Sequence, residues 1–389
     1  MKNFEHYKGR EQTWVKHYVL RHYLQRLVYK IGWNGGVLNY IDGFAGPWKH
    51  QSDDLSDTSP HIAIQELLGA QDGLAQKGRP SLQLRCLFNE KDPTAAQRLT
   101  ASLSQYTGKR IETQVLCGAF EDNLFDIQRF LMQRPRAFSF FFIDPTGWTG
   151  FGMRTIAPIL QLQRSEVLIN FMTEHIKRFI DDDTPQTRAS FDEMFDDKNY
   201  RAQWQNLEGQ EREDAIVQAY CCRVKEVGNF RWVSSAVVLQ PTDQRSYFHL
   251  IYATRNDEGL RVFREVERKA MDEQEQVRAE AQQEHRISRN GQYELFEPQE
   301  LGGGNYYDEL RSRFLMQAKQ QVEDVLRARR RIAFEEVELL ALANQLVWPR
   351  DLKKWIKEWQ DKGLLVIEGL APRERVPKKE HILVWNGHS

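Results

Sequence analysis

The sequence contains little that would support a metal site, a disulfide framework or a membrane span. Only four of its 389 residues are cysteine, and Cys86, Cys117, Cys221 and Cys222 show no metal-ligand spacing. Cys86 and Cys117 lie within apolar runs, which is typical of buried free thiols. No apolar run is long enough to cross a bilayer, and the opening Met-Lys-Asn-Phe-Glu-His does not resemble a secretory signal. We therefore expect a cytoplasmic protein with no metal and no membrane partner.

The chain also lacks a net charge and the motifs of common hydrolases. Its 54 basic and 55 acidic side chains give a formal charge of −1, so any nucleic-acid-binding surface must be local. No G-x-S-x-G, H-E-x-x-H or Walker loop occurs, which argues against serine hydrolase, zinc protease and P-loop chemistry. The length is long for one domain and favours two.

Short apolar runs that alternate with helical stretches predict a doubly wound α/β domain in the first part of the chain. A helix over residues 11–33 comes first, and its basic side chains are interpreted as a solvated face, with phosphate contact as the alternative. Five apolar runs indicate parallel strands covered on both faces. They are Val37–Ile41, Leu82–Asn89, Thr113–Cys117, Phe138–Ile143 and Val167–Met172.

Two further strands follow and differ in direction. The connection between Trp232–Leu239 and Tyr247–Ala253 is too short for a parallel crossover, so this pair is antiparallel. Five parallel strands and a terminal antiparallel hairpin resemble the seven-stranded, Rossmann-type sheet of the class I S-adenosylmethionine-dependent methyltransferases. We assign residues 1–288 to this domain, with an insertion at about 180–229, and residues 289–305 to a linker.

Residues 306–389 predict a small second domain that resembles a winged helix-turn-helix. Apolar residues Leu352, Trp355, Ile356 and Trp359 fall at i, i+3, i+4 and i+7 and indicate a buried helical stripe, which is followed by a strand pair. Basic residues on the outer face of this helix and on the wing are candidates for phosphate contacts, and a solvated or protein-binding surface is the alternative. These candidates are Lys353, Lys354, Lys357, Arg373, Arg375, Lys378 and Lys379.

The ends of the first three strands carry residues suited to a nucleotide-like cofactor. Ligands of open α/β sheets bind beyond the carboxyl ends of the strands. The first strand ends in "YIDGFAGP", where the two glycines either let the backbone approach a ligand or adopt positive φ. We therefore expect an S-adenosylmethionine site, with the first strand near the methionine part, the second at the ribose and the third around the adenine. The candidate residues are Asp42, Gly43, Phe44, Gly46, Glu90, Phe120 and Asp122.

The fourth strand ends in "FFFIDPTGW", which resembles the motif that holds the target amino group in amino-directed methyltransferases. Asp144 and the carbonyl group of Pro145 would accept hydrogen bonds from the amine, and Trp148, or Phe151 beyond it, would stack on its ring. The resemblance is incomplete, because Thr146 and Gly147 stand between the proline and the aromatic residue and displace the ring by one position.

The strings "YIDGFAGP", "FNEKDP" and "FIDPTGW", with "YFHLIYATRNDEGLRVF", resemble the bacterial three-Cys-motif partner family over roughly residues 10–380. This resemblance implies a methyltransferase-like domain with a C-terminal winged helix, and an association with a separate protein that carries a three-cysteine, radical-enzyme-like motif. Three hypotheses remain open. They are a methyltransferase acting on nucleic acid, with DNA slightly favoured over RNA; a non-catalytic binding subunit; and a small-molecule or protein methyltransferase.

Overall fold

The computed structural model describes residues 7–46, 57–106, 110–290, 304–371, 374 and 377–387. The chain divides into two compact units, Met1–Arg255 and Asn256–Ser389. This division falls before the boundary that we assigned at residue 288, and most of the linker assigned to 289–305 lies outside the described residues. Among the described helices, none is long and apolar enough to cross a membrane.

A seven-stranded mixed sheet forms the centre of the first unit, and its strand order is β3-β2-β1-β4-β5-β7-β6. Strands β1 to β5 are parallel, whereas β7 is antiparallel to both of its neighbours. The arrangement is consistent with the methyltransferase-like fold. The strands are β1 (Gly36–Asp42), β2 (Leu82–Glu90), β3 (Ile111–Cys117), β4 (Phe138–Ile143), β5 (Ser165–Phe171), β6 (Trp232–Leu239) and β7 (Ser246–Thr254).

Helices occupy the connections of the first unit, as expected for parallel strands that need crossover connections. Every residue of β5 is buried, including the polar Ser165, Glu166 and Asn170, as expected for a strand covered on both faces. The helices are α1 (Glu11–Gly32), α2 (Ser59–Gln76), α3 (Pro93–Leu103), α4 (Leu124–Met132), α5 (Met153–Leu160), α6 (Thr173–Phe179), α7 (Pro185–Phe195) and α8 (Gly209–Gly228). Residues 180–229, predicted as an insertion, thus contain α7 and α8.

The two cysteines predicted to be buried differ in their exposure. Cys86 lies in β2 and is buried, as predicted, but Cys117 is exposed. The prediction for Cys117 was wrong because β3 is an edge strand of the sheet, and Cys117 is its last residue.

Within its described residues, the second unit combines four helices with a three-stranded antiparallel sheet of order β8-β10-β9. Its elements are α9 (Asp257–Asn290), α10 (Gly304–Arg329), β8 (Arg331–Ala333), α11 (Phe334–Leu342), α12 (Pro349–Asp361), β9 (Leu365–Glu368) and β10 (Ile382–Trp385). Helix α9 belongs here because Arg264 is fully buried, forms an ion pair with Glu267 at 2.7 Å and donates to the carbonyl oxygen of Leu342. The predicted apolar stripe of α12 is confirmed as buried.

Candidate functional site

The carboxyl ends of the four adjacent strands β2, β1, β4 and β5 carry polar side chains that are largely removed from water. Glu90 ends β2, Asp42 ends β1, Asp144 follows β4, and Asn170 lies near the end of β5. With Lys16 of α1, which contacts Asp144, we call these residues the carboxyl-edge cluster. Parallel strands bring the four strand-end residues to one edge although up to 128 positions separate them in the sequence, because each crossover connection returns the chain to the same side.

Asp42 is fully buried, and its carboxylate accepts hydrogen bonds from within the unit. Ser59 Oγ, at the start of α2, donates to Oδ2 at 2.7 Å, and the backbone NH of Phe44 donates to Oδ1 at 3.2 Å. Burial raises the pKa of Asp42 to about 7, and the nearby carboxylate of Asp144 contributes to this rise, against the hydrogen bonds and Lys16. Asp42 therefore fixes the loop after β1.

The raised pKa of Asp42 predicts that the contribution of this residue to the stability of the first unit falls as pH rises from about 4 to about 7. In this window the unfolded chain releases the proton that the folded chain retains, so the free energy of unfolding falls, by at most about 1.4 kcal/mol per pH unit for this group. Asp42→Asn should remove most of this slope. Denaturant unfolding of both proteins across this pH range measures it, and equal slopes in the two proteins would contradict the assignment.

Gly43 and Gly46 were predicted to need positive φ or a close approach to a ligand. Gly43 does not have positive φ, but a Cβ atom at this position would lie 2.9 Å from Cε2 of Phe120. The backbone NH of Gly43 donates to the carbonyl oxygen of Phe142 at 2.9 Å, which holds the loop against β4. Glycine is thus required by the aromatic ring, which also lies 5.2 Å from the ring of Phe44. Gly46 is half-buried, and residues 47–56 after it lie outside the described residues.

Glu90 provides a buried acceptor that lacks a hydrogen-bond partner. Its Oε1 accepts from the backbone NH of Asp92 at 2.6 Å, whereas the buried Oε2 has no partner. Burial raises the pKa of this carboxyl. Buried polar atoms are nearly always satisfied, so an unsatisfied carboxylate oxygen at a strand end is the feature expected where a ligand hydroxyl would bind.

The loop after β3 lies beside Glu90 and is held by backbone contacts. Gly118 has a φ of +138° and donates its NH to the carbonyl oxygen of Glu90 at 3.0 Å. Asn89 joins this loop to the loop after β1, since its Nδ2 lies 3.2 Å from the carbonyl oxygens of both Gly43 and Gly118. Phe120 is buried against the first loop, and Asp122 is exposed. The structure thus brings the loops after β1 and β3 together around Asn89, which precedes Glu90 in β2.

Asp144 is engaged on both of its oxygens. Lys16 Nζ lies 2.5 Å from Oδ2, and Asn170 Nδ2 donates to Oδ1 at 2.6 Å. The side chains of Lys16 and Asp144 are only 12% and 14% exposed. Asn170 is itself buried, and its Oδ1 has no hydrogen-bond partner. A second buried acceptor is therefore available beside Asp144.

Trp148 packs into the first unit. Its ring stacks on Phe191 with the ring centroids 5.3 Å apart, lies 4.9 Å from Phe179, and donates its Nε1–H to Ser190 Oγ at 2.9 Å. These contacts tie the loop after β4 to the α6–α7 region, and Pro145 beside it is buried. The assignment of Trp148 as a base-stacking residue stays a prediction.

Sequence reasoning missed Lys16, Ser59 and Asn170. Lys16 was interpreted as part of a solvated helix face, because helical periodicity gives the side on which a residue lies but not the loop that faces it. Asn170 carried a usable signal, since it is the one polar residue in the run "VLINFM" and stands near the end of a strand.

The basic candidates of the second unit differ in their contacts. Lys353, Lys354 and Lys357 are exposed on α12. Lys378 pairs with Glu374 at 2.7 Å, and Lys379 lies 3.4 Å from Glu335. Arg373 and Arg375 lie outside the described residues. Exposed lysines of α12 thus remain the best-placed candidates for phosphate contacts.

Comparison with protein-family models gives no match, and comparison with curated proteins gives none either. Among solved structures, the chain is similar to the Legionella pneumophila protein LPL1258, of the family DUF519, at 9% identity and a TM-score of 0.33, covering 61% of this chain and 85% of that one. It is also similar to a loganic acid methyltransferase with SAH at 9% identity and a TM-score of 0.29, covering 74% of this chain and 93% of that one. Likeness at this level carries no functional argument.

Proposed function

We propose that the protein is an S-adenosylmethionine-dependent methyltransferase that acts on an amino group of nucleic acid. The observation that carries the proposal is the unpartnered, buried Oε2 of Glu90 at the end of β2, in a sheet whose neighbouring strand ends carry Asp42 and Asp144. Buried acceptors fit a ligand with hydroxyl groups and positive charge. S-adenosylmethionine offers both, in its ribose and in its sulfonium and ammonium groups.

When bound, the cofactor would supply a methyl group already activated on a sulfonium centre. The residues of the chain then have to bind and orient. Glu90 would accept from the ribose, Phe120 and Asp122 would border the adenine, and the Asp42–Gly46 loop would border the methionine part. Asp144 and the carbonyl oxygen of Pro145 would accept hydrogen bonds from the target amine and direct its lone pair. Positioning of this kind supplies much of the rate in bimolecular transfers.

Incorporation of labelled methyl groups tests the proposed reaction. Purified protein and labelled S-adenosylmethionine would be incubated with duplex DNA, single-stranded DNA and RNA in parallel. Transfer to at least one nucleic acid, and none with heat-unfolded protein, is expected. Transfer only to a protein or a small molecule would contradict the nucleic-acid target.

We further propose that the second unit is a winged helix that delivers the nucleic acid. A triple variant in which Lys353, Lys354 and Lys357 are each replaced by glutamine should bind duplex nucleic acid more weakly, almost independently of its sequence. The slope of log affinity against log salt concentration should flatten by about one unit per lost phosphate contact. Fluorescence anisotropy across a salt series measures both. A matched variant, in which Lys378 and Lys379 are replaced, should have a smaller effect because carboxylates already neutralise them. Unchanged binding in the triple variant would make this surface a protein-contact surface.

A non-catalytic binding subunit is the second candidate function. It is favoured by the stacking of Trp148 on Phe191, because one face of the ring expected to stack on a target base is already covered. In that case the protein would hold the cofactor or a nucleotide for a separate partner, such as the three-cysteine protein implied by the sequence resemblance. Cofactor binding without methyl transfer to any nucleic acid would favour this function.

A further inference from the structure

Lys16 lies between the acidic residue assigned to the target amine, Asp144, and the loop assigned to the methionine part of the cofactor. Its Nζ is 2.5 Å from Asp144 Oδ2, and its positive charge also acts on the carboxylate of Asp42. Asn170 occupies the other oxygen of Asp144. In this arrangement each oxygen of Asp144 already accepts a hydrogen bond from a strong donor, and Lys16 neutralises its charge, so the carboxylate is a weaker acceptor for a target amine.

The charges of the carboxyl-edge cluster indicate which ligand group could separate Lys16 from Asp144. The cluster contains three carboxylates, on Asp42, Glu90 and Asp144, and one ammonium group, on Lys16. Such a site favours a ligand with net positive charge. The proposed cofactor, however, also carries a carboxylate on its methionine part. A carboxylate placed there needs a cationic partner, and Lys16 is the cation of the cluster.

We propose that Lys16 is a positioning residue that exchanges partners when the cofactor binds. Its ammonium group would move from Asp144 to the carboxylate of the cofactor, and Asp144 would accept the target amine only after this exchange. This inference rests on the proposed function. A lysine suits the exchange because its ammonium group sits on a flexible four-carbon stem and can change partners without backbone movement. The ion pair is also largely removed from water, so breaking it without a replacement anion would be costly. The expected order of binding is cofactor first and nucleic acid second.

Calorimetric titration with two ligands tests the exchange without measuring activity. S-adenosylhomocysteine carries the amino-acid carboxylate, and 5′-methylthioadenosine keeps the adenosine and the sulfur but lacks it. Lys16→Gln should lower the affinity for S-adenosylhomocysteine by roughly 10- to 100-fold, as for the loss of a charged hydrogen bond. The affinity for 5′-methylthioadenosine should stay within about twofold of the wild-type value. Arg21→Gln is the matched control, since Arg21 is on the same helix and pairs with Glu66; it should leave both affinities unchanged.

A second variant tests the competition itself. Asp144→Asn removes the anion that holds Lys16, so it should tighten binding of S-adenosylhomocysteine severalfold and leave 5′-methylthioadenosine unchanged. Equal losses of both ligands in Lys16→Gln, or no loss of either, would overturn the exchange while the proposed cofactor site stands. Failure of both ligands to bind the wild-type protein would overturn the proposed function and this inference together.

Discussion

Replacing Asp144 with asparagine is expected to slow methyl transfer to nucleic acid by about 100-fold or more, within the range for loss of a group that acts on the reacting proton. The carboxylate is the one ionisable group that follows β4, and it lies between Lys16 and Asn170 with its side chain 14% exposed. Asparagine keeps the size and one acceptor oxygen, so Asn170 retains a partner and the local packing should be preserved. The lost element is the negative charge that would orient the amine.

The measurement pairs single-turnover methyl transfer with cofactor binding on the same protein samples. Binding of the cofactor should not weaken in Asp144→Asn, because this residue is assigned to the target and not to the cofactor. Asp126→Asn, which removes an α4 carboxylate that pairs with Arg129, is a control that should leave the rate unchanged. A normal rate in Asp144→Asn would remove Asp144 from the reaction centre.

Replacing Glu90 with alanine should weaken cofactor binding by roughly 1.5–3 kcal/mol, which is about 10- to 150-fold in dissociation constant. The reason is the geometry of the carboxylate. Oε1 accepts from the backbone NH of Asp92, and Oε2 is buried without a partner. A ligand hydroxyl that reaches Oε2 would satisfy it, and the alanine variant cannot provide this bond.

Glu90→Gln separates binding from local structure. The amide can keep the acceptor for the backbone NH of Asp92, so the turn that begins α3 should be preserved while the negative charge is lost. An intermediate loss of affinity is expected, with a thermal unfolding midpoint near that of wild type. If Glu90→Ala binds the cofactor normally, the ribose assignment is wrong and the unpartnered oxygen needs another explanation.

The central strands of the sheet could be predicted from the sequence because they form apolar runs, and the terminal hairpin could be predicted because its connection is short. The ranges Phe138–Ile143 and Trp232–Leu239 were predicted to the residue. The placement of α9 could not be predicted in the same way. Its sequence is highly charged and indicates exposure, but Arg264 and Glu267 are fully buried as an ion pair. This burial cannot be predicted from the sequence, because it depends on contacts with α11 and the loop that follows it.

The candidate-site residues that could be predicted are the acidic residues at the ends of apolar strands. Asp42, Glu90 and Asp144 follow apolar runs directly, so parallel strands bring them to one edge. Lys16 and Ser59 belong to helices, and which loop a helix faces depends on tertiary packing. The reason for Gly43 was equally hidden, because Phe120, whose ring excludes a Cβ atom there, lies 77 residues later in the chain.

A crystal structure of the protein with S-adenosylhomocysteine tests the central claim most directly. We predict one ligand at the carboxyl ends of β1 to β4, with a ribose hydroxyl within about 3.2 Å of Glu90 Oε2 and the amino-acid carboxylate on Lys16. A ligand bound elsewhere on the chain, or a Glu90 Oε2 that remains without a partner when the ligand is present, would contradict it.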